Sequence, residues 1–121
     1  MAQKILVIDD DKTFVKMIRS SLEVNNFEVL SAFDGDEGLE KAKTLKPDLI
    51  ILDIEMPKMD GYTFMLEMKK IVGQKEIPIL IITAKESMQD IFKMEGVREY
   101  IVKPVNSNQL LALIHKHLPN Q

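Results

Sequence analysis

The stretch DLIILDIEMPKMDG, residues 48–61, decides how this chain folds. Its four consecutive apolar residues, Leu49–Leu52, lead directly into Asp53, and the turn-forming residues Pro57 and Gly61 follow. A strand that is apolar at every position, rather than at every second one, is typical of a parallel sheet covered on both faces. We therefore predict a central strand at 49–52 with a carboxylate at its carboxyl end.

Short apolar runs recur on both sides of this stretch: Ile5–Ile8, the weaker Val29–Ala32, Ile79–Ile82 and the weak Tyr100–Val102. After each run, apolar residues are spaced by three and four, which is the period of a helix. Strands that alternate with helices predict an α/β protein of (βα)5 type, a parallel five-stranded sheet with right-handed crossovers and helices on both faces. The strongest runs belong in the centre, which predicts the doubly wound strand order 2-1-3-4-5. The apolar residues whose spacing predicts the five helices are, in chain order, Phe14, Met17, Ile18 and Leu22; Leu39, Ala42 and Leu45; Phe64, Met65, Met68, Ile71 and Val72; Met88, Ile91 and Phe92; and Leu110, Leu111, Ile114 and Leu118.

Length and composition narrow the classes of protein that fit. The 121 residues suffice for one domain, expected over residues 1–121, with Pro119 ending the last helix and no output domain after it. A formal charge of −3 gives no sign of direct nucleic-acid or membrane binding, and the absence of cysteine excludes disulfides and thiolate metal sites. No segment resembles a membrane span or a secretory signal, so we expect a cytoplasmic protein.

Polar side chains follow four of the five apolar runs, and parallel strands bring their carboxyl ends to one edge of the sheet. Clustered carboxylates repel one another unless a cation lies between them, and Mg²⁺ beside a phosphate is the typical solution. Such a site predicts phosphoryl transfer to an aspartate, with Asp53 as nucleophile, Lys103 neutralising phosphoryl oxygens and Thr83 donating a hydrogen bond. The residues at the four strand ends are Asp9, Asp10 and Asp11, then Asp53, Thr83 and Lys103.

Each of these residues also has an ordinary structural interpretation. Asp11 and Asp60 precede helices, so we expect both to be N-caps rather than ligands. A single threonine or lysine at a strand end is commonplace, and only the joint placement favours a site.

Four motifs resemble the receiver domain of bacterial two-component response regulators, which has a flavodoxin-like fold, and together they cover essentially the whole chain. They are residues 5–11 (ILVIDDD), 48–61 (DLIILDIEMPKMDG), 78–84 (PILIITA) and 100–104 (YIVKP). The resemblance implies that Asp53 accepts a phosphoryl group from a phosphohistidine on a sensor histidine kinase or a histidine phosphotransfer protein. It also implies that Asp10, Asp53 and the backbone carbonyl of Glu55 bind Mg²⁺ directly and that Asp9 binds it through water.

The same resemblance implies a switch rather than a turnover enzyme. A cis Lys103-Pro104 peptide would aim the lysine into the site, and Thr83 with Tyr100 would form the switch pair. Phosphorylation would then draw the Thr83 hydroxyl inward, let the Tyr100 ring rotate towards the core, and change the surface of helix 4, strand 5 and helix 5, where a downstream protein binds. A monomer or a phosphorylation-dependent dimer is expected.

Several alternatives stay open or are weaker. Glu55 and Lys85 either pair across the entrance and slow self-dephosphorylation, or are two solvated side chains. The chain is either a stand-alone regulator or the receiver of a larger protein, and a docking module that works without phosphorylation is the main functional alternative. Residues 9–13 also fit the D-x-D-x-T motif of haloacid-dehalogenase phosphatases, but no acid follows Glu99 to complete that metal site. A flavin phosphate would be repelled by the acids after strand 1.

Overall fold

The structure, a computed structural model, describes residues 2–71 and 76–118. Within those ranges five strands and five helices alternate, as predicted, and every strand lies within one residue of its predicted bounds. Two sequence assignments, Val72 in the third helix and Pro119 after the fifth, lie outside the described residues. The elements are β1 (Lys4–Ile8), α1 (Lys12–Val24), β2 (Glu28–Ala32), α2 (Gly35–Leu45), β3 (Leu49–Leu52), α3 (Gly61–Lys69), β4 (Ile79–Thr83), α4 (Gln89–Met94), β5 (Glu99–Val102) and α5 (Ser107–His117).

The five strands form one parallel sheet in the order β2-β1-β3-β4-β5, which confirms the predicted topology. The strongest apolar runs occupy its centre, and every residue of β3 and β4 is buried. Ile8 pairs with Leu52, and Leu52 pairs with Ile81, so the central strands end level with one another. The residues that follow β1 and β3, Asp9 and Asp53, therefore emerge side by side.

Two hydrophobic cores cover the faces of the sheet. Ile5 and Val7 of β1 pack against α1 and α5, whereas Leu6 and Ile8 pack against α2, α3 and α4. Burying one such side chain contributes about 1.5–3 kcal/mol. The two cores together make the sheet a rigid support for the loops at its carboxyl edge. None of the helices in the described ranges is long and apolar enough to span a bilayer.

Capping side chains fix the helix starts at this edge. The backbone N–H of Phe14 donates to the Asp11 carboxylate at 3.1 Å, and that of Thr63 donates to Asp60 at 2.8 Å. Both N-cap predictions are thus confirmed, and each cap holds the loop before it in place.

Helix α3 ends earlier than its apolar pattern indicated, and α4 starts one residue later and ends two residues later than its pattern. α3 ends at Lys69, and Ile71 continues the pattern in a tighter turn, with its N–H bonded to the carbonyl of Met68 three residues back. α4 spans only six residues and follows Met88, whose side chain caps no N–H group.

Candidate functional site

Three carboxylates converge at the carboxyl ends of β1 and β3. Asp9 and Asp53 are buried, Asp10 is exposed, and one oxygen of each lies within 4.8 Å of those of the other two. The three predicted ligands are therefore brought together by two adjacent strands. Oxygen ligands at this spacing, partly open to solvent, suit a hard divalent cation that keeps several waters.

Asp9 is the most constrained member of this cluster. Its carboxylate accepts hydrogen bonds from the backbone N–H of Asp11 at 2.9 Å and from Lys103 Nζ at 2.8 Å. Burial raises the pKa of Asp9 above its ordinary value, because it penalises the ionised form more than the Lys103 and Asp11 hydrogen bonds favour it. A cation placed beside Asp9 would relieve this penalty.

Lys103 reaches the cluster from the end of β5. Its Nζ lies 2.8 Å from Asp9 and 3.3 Å from Asp53, so one ammonium group bridges the two buried carboxylates. Burial acts to lower the pKa of Lys103, but the hydrogen bonds and charges of Asp9 and Asp53 outweigh it and hold this pKa above its ordinary value. The Lys103-Pro104 peptide is cis, as the resemblance implied.

The loop after Asp53 is held at both ends. The backbone N–H of Glu55 donates to Asp53 Oδ1 at 3.0 Å, and Gly61 N–H donates to the Ile54 carbonyl at 3.3 Å. Midway, Lys58 adopts a left-handed backbone with φ 71° and its ammonium lies 3.4 Å from Asp34 at the start of α2. The loop therefore presents Asp53 from a fixed backbone.

Thr83 and Tyr100, the expected switch pair, meet at the start of the β4–α4 loop. The buried Thr83 hydroxyl accepts a hydrogen bond from the Lys85 N–H at 3.3 Å, and the Tyr100 hydroxyl donates to the Lys85 carbonyl. The Tyr100 ring is only 8% exposed, so it occupies the inward position. Lys85 links the two side chains through its backbone alone.

Sequence reasoning missed two contacts in the site. The first is between Thr83 and Glu55, whose hydroxyl and carboxylate oxygens lie 3.5 Å apart. The ion pair considered between Glu55 and Lys85 is not formed among the described residues. The ring of Phe14 lies under Lys103, with 4.1 Å between Nζ and the ring centroid. The helical spacing assigned Phe14 to the core, and that assignment gave no signal of a neighbouring charge.

Three comparisons with known proteins agree with this geometry. A family model described as "Response regulator receiver domain" matches residues 5–115. The chain is 39% identical over 118 residues to the alkaline phosphatase synthesis transcriptional regulatory protein PhoP of Bacillus subtilis, covering 94% of this chain but only 48% of that protein. It spans about half the length of that relative.

Other relatives match along nearly their whole length. The chemotaxis protein CheY of Bacillus subtilis is 38% identical over 119 residues, which is 98% of this chain and 99% of that protein. Among solved structures, the chemotaxis protein CheY4 of Vibrio cholerae superposes with a TM-score of 0.88 at 32% identity, covering 98% of this chain and 100% of that one.

Proposed function

Because the chain belongs to the response regulator receiver domain family, a family of signalling switches, we propose that its phosphoacceptor is Asp53. The observation that carries this proposal is the juxtaposition of Asp9, Asp10 and Asp53 with the single ammonium group of Lys103. We further propose that residues 1–121 act as one receiver domain in the cytoplasm.

The chemistry follows from the charges at the site. An Asp53 oxygen attacks the phosphorus of a phosphohistidine; the phosphorus–nitrogen bond breaks, and its electron pair stays on the imidazole nitrogen. Lys103 neutralises phosphoryl oxygens, and the Thr83 hydroxyl donates to one of them.

The donor set fits Mg²⁺. Asp10, Asp53 and the Glu55 backbone carbonyl would bind the ion directly and Asp9 through water, and the bound ion would supply the positive charge that lets an anionic phosphoryl group approach three carboxylates.

The partners follow from the same proposal. A sensor histidine kinase or a histidine phosphotransfer protein supplies the phosphoryl group, and a downstream protein binds the face formed by α4, β5 and α5. Exposed apolar side chains on this face support a protein partner: Ile91 is 45% exposed, Met94 86% and Val102 36%. Nothing in the charge of the chain favours nucleic acid or a membrane surface.

The phosphoacceptor is tested with a small acyl phosphate and Mg²⁺, followed by intact mass spectrometry. We expect the wild type to gain one phosphoryl group and Asp53→Asn to gain none. Asp60→Asn is the matched control, since it makes the same change in the same loop at a capping carboxylate, where asparagine caps equally well. Labelling of Asp53→Asn would contradict the assignment. An unlabelled wild type would favour a docking module instead, and repeated release of phosphate would favour the phosphatase alternative.

The switch is tested through Tyr100. The hydroxyls of Thr83 and Tyr100 both hydrogen-bond the Lys85 backbone, so a phosphoryl group that shifts Thr83 changes the support of Tyr100 and hence the α4–β5–α5 face. We expect Tyr100→Ala to be phosphorylated normally and to bind its partner more weakly. Phe33→Ala, at an aromatic side chain that follows β2 on the opposite edge of the sheet from β5, is the control. Equal partner affinity of phosphorylated wild type and Tyr100→Ala would exclude this role.

A further inference from the structure

We propose that Phe14 is a positioning residue for Lys103, and that the face of its ring keeps the ammonium group where the phosphoryl oxygens arrive. This inference rests on the proposed phosphoryl transfer to Asp53. It assigns a role to an α1 side chain that neither binds the metal nor touches the phosphoryl group.

The geometry is that of a cation held over an aromatic ring. Lys103 Nζ lies 4.1 Å from the Phe14 ring centroid, well inside the range of about 6 Å for this interaction. The Phe14 side chain is 9% exposed, so the ring face is largely shielded from water and the attraction is stronger than at an open surface. Ring and ammonium thus form a close, partly desolvated pair.

The position of the ring is set by the acidic loop itself. The Phe14 backbone N–H donates to Asp11, the N-cap of α1, while the Asp11 N–H donates to Asp9. The ring, the cap and the Asp9 carboxylate are therefore connected through a few consecutive residues. Any shift of Asp9 and any shift of the ring are coupled.

An aromatic face suits this place because it attracts the ammonium without accepting a conventional hydrogen bond. Two of the directions around Nζ are taken by Asp9 and Asp53. A carboxylate or amide on the third side would compete with the phosphoryl oxygens for the lysine N–H groups, and an aliphatic side chain would offer no attraction. The ring restricts the flexible four-carbon stem of Lys103 and takes no N–H group in a conventional hydrogen bond.

Simple core packing is the competing explanation, since Phe14 belongs to the core between the sheet and α1. Ring fluorination separates the two, because it weakens the negative face of the ring while nearly preserving its shape. We would therefore replace Phe14 by mono-, di- and trifluorinated phenylalanine and measure the rate of phosphorylation by a small acyl phosphate with Mg²⁺.

The rate should fall stepwise along this series, by roughly three- to tenfold in total, with Phe14→Leu near the trifluorinated end and Phe14→Tyr near wild type. The matched control is the same series at Phe33, whose ring faces Lys12 at 5.5 Å, and it should leave the rate unchanged. In a Lys103→Met background, fluorination at Phe14 should have no effect. A rate that stays flat along the Phe14 series, or falls equally without Lys103, would overturn the proposal.

A second measurement does not depend on phosphorylation. The ε-methylene protons of Lys103 should be shifted upfield by the Phe14 ring current in NMR spectra of the unmodified protein, and Phe14→Leu should abolish that shift. An unshifted Lys103 would overturn the inference even if phosphorylation proceeds. Failure of the wild type to accept a phosphoryl group would refute the proposed function, while the ring-current shift still decides whether Phe14 holds Lys103.

Discussion

Replacing Gly61 by alanine should damage both the stability and the phosphorylation chemistry of this protein. Gly61 is the first residue of α3 and packs against Ile54, the residue after Asp53. A Cβ at position 61 would lie 2.5 Å from Ile54 Cγ2 and 2.7 Å from Ile54 Cα. Because one of these atoms belongs to the backbone, no rotation of the Ile54 side chain relieves the clash.

The size of the effect follows from these distances. Ordinary contacts between carbon atoms begin near 3.5 Å, so α3 and the backbone at Ile54 must separate by nearly 1 Å. Overpacking of this kind costs about 1–3 kcal/mol of unfolding free energy. The displacement passes directly to Asp53, and a misplacement of about 1 Å at a reacting group reduces rates by up to roughly a hundredfold.

Two assays on Gly61→Ala, with Gly96→Ala beside it, check this reasoning. Gly96 has φ 94°, and a Cβ there would contact nothing within 4 Å, so alanine costs only the conformational strain of about 1 kcal/mol. Urea unfolding should show a loss in both variants, whereas phosphorylation by a small acyl phosphate should slow only in Gly61→Ala. A Gly61→Ala protein within about 0.5 kcal/mol of wild type, phosphorylated at the wild-type rate, would refute the argument.

Three further predictions concern charges. Mg²⁺ at ten times its dissociation constant should raise the unfolding free energy of the wild type by about 1.4 kcal/mol, and thermal unfolding of Asp10→Asn should show almost none of this gain. The pKa of Glu99 is held below its ordinary value by the hydrogen bond from His117, which lies 2.6 Å away. The pair therefore stabilises the folded protein fully at pH values above the ordinary glutamate pKa, and this stabilisation is lost as the pH falls through the lowered pKa of Glu99. In Glu99→Gln, the unfolding free energy should fall less on acidification than in wild type, by about 0.5 kcal/mol. Because no ion pair joins Glu55 to Lys85 among the described residues, the double variant Glu55→Ala, Lys85→Ala should keep the phosphoryl half-life of wild type, and a half-life about threefold shorter would show that these charges hinder water.

The sheet and most of the site were predictable because they depend on local patterns. A strand buried on both faces must be apolar at every position, so β3 was predicted at its observed bounds, Leu49–Leu52. A carboxylate before a helix has few roles other than capping, which made Asp11 and Asp60 predictable. The ends of parallel strands share one edge, and this placed Asp9 beside Asp53.

The contacts that escaped prediction depend on side-chain conformations across long separations. Lys103 and Asp9 are 94 residues apart, and only the folded sheet shows that one ammonium bridges two carboxylates. Phe14 satisfies the helical apolar pattern equally well whether or not a lysine lies over its ring. The left-handed backbone of Lys58 was not predictable either, because lysine carries no preference for that conformation.

The two-layered core places the aromatic side chains near Lys103 and near Lys85 on opposite faces of the sheet. Phe14, which contacts Lys103, belongs to the layer with α1 and α5, whereas Tyr100 and Phe92 belong to the layer with α2, α3 and α4. The buried strands act as a partition between these layers. The proposed α4–β5–α5 face takes α5 from one layer and α4 from the other. A substitution in either layer can therefore change what a target contacts, so the choice of upstream and downstream partners cannot diverge freely and independently in evolution.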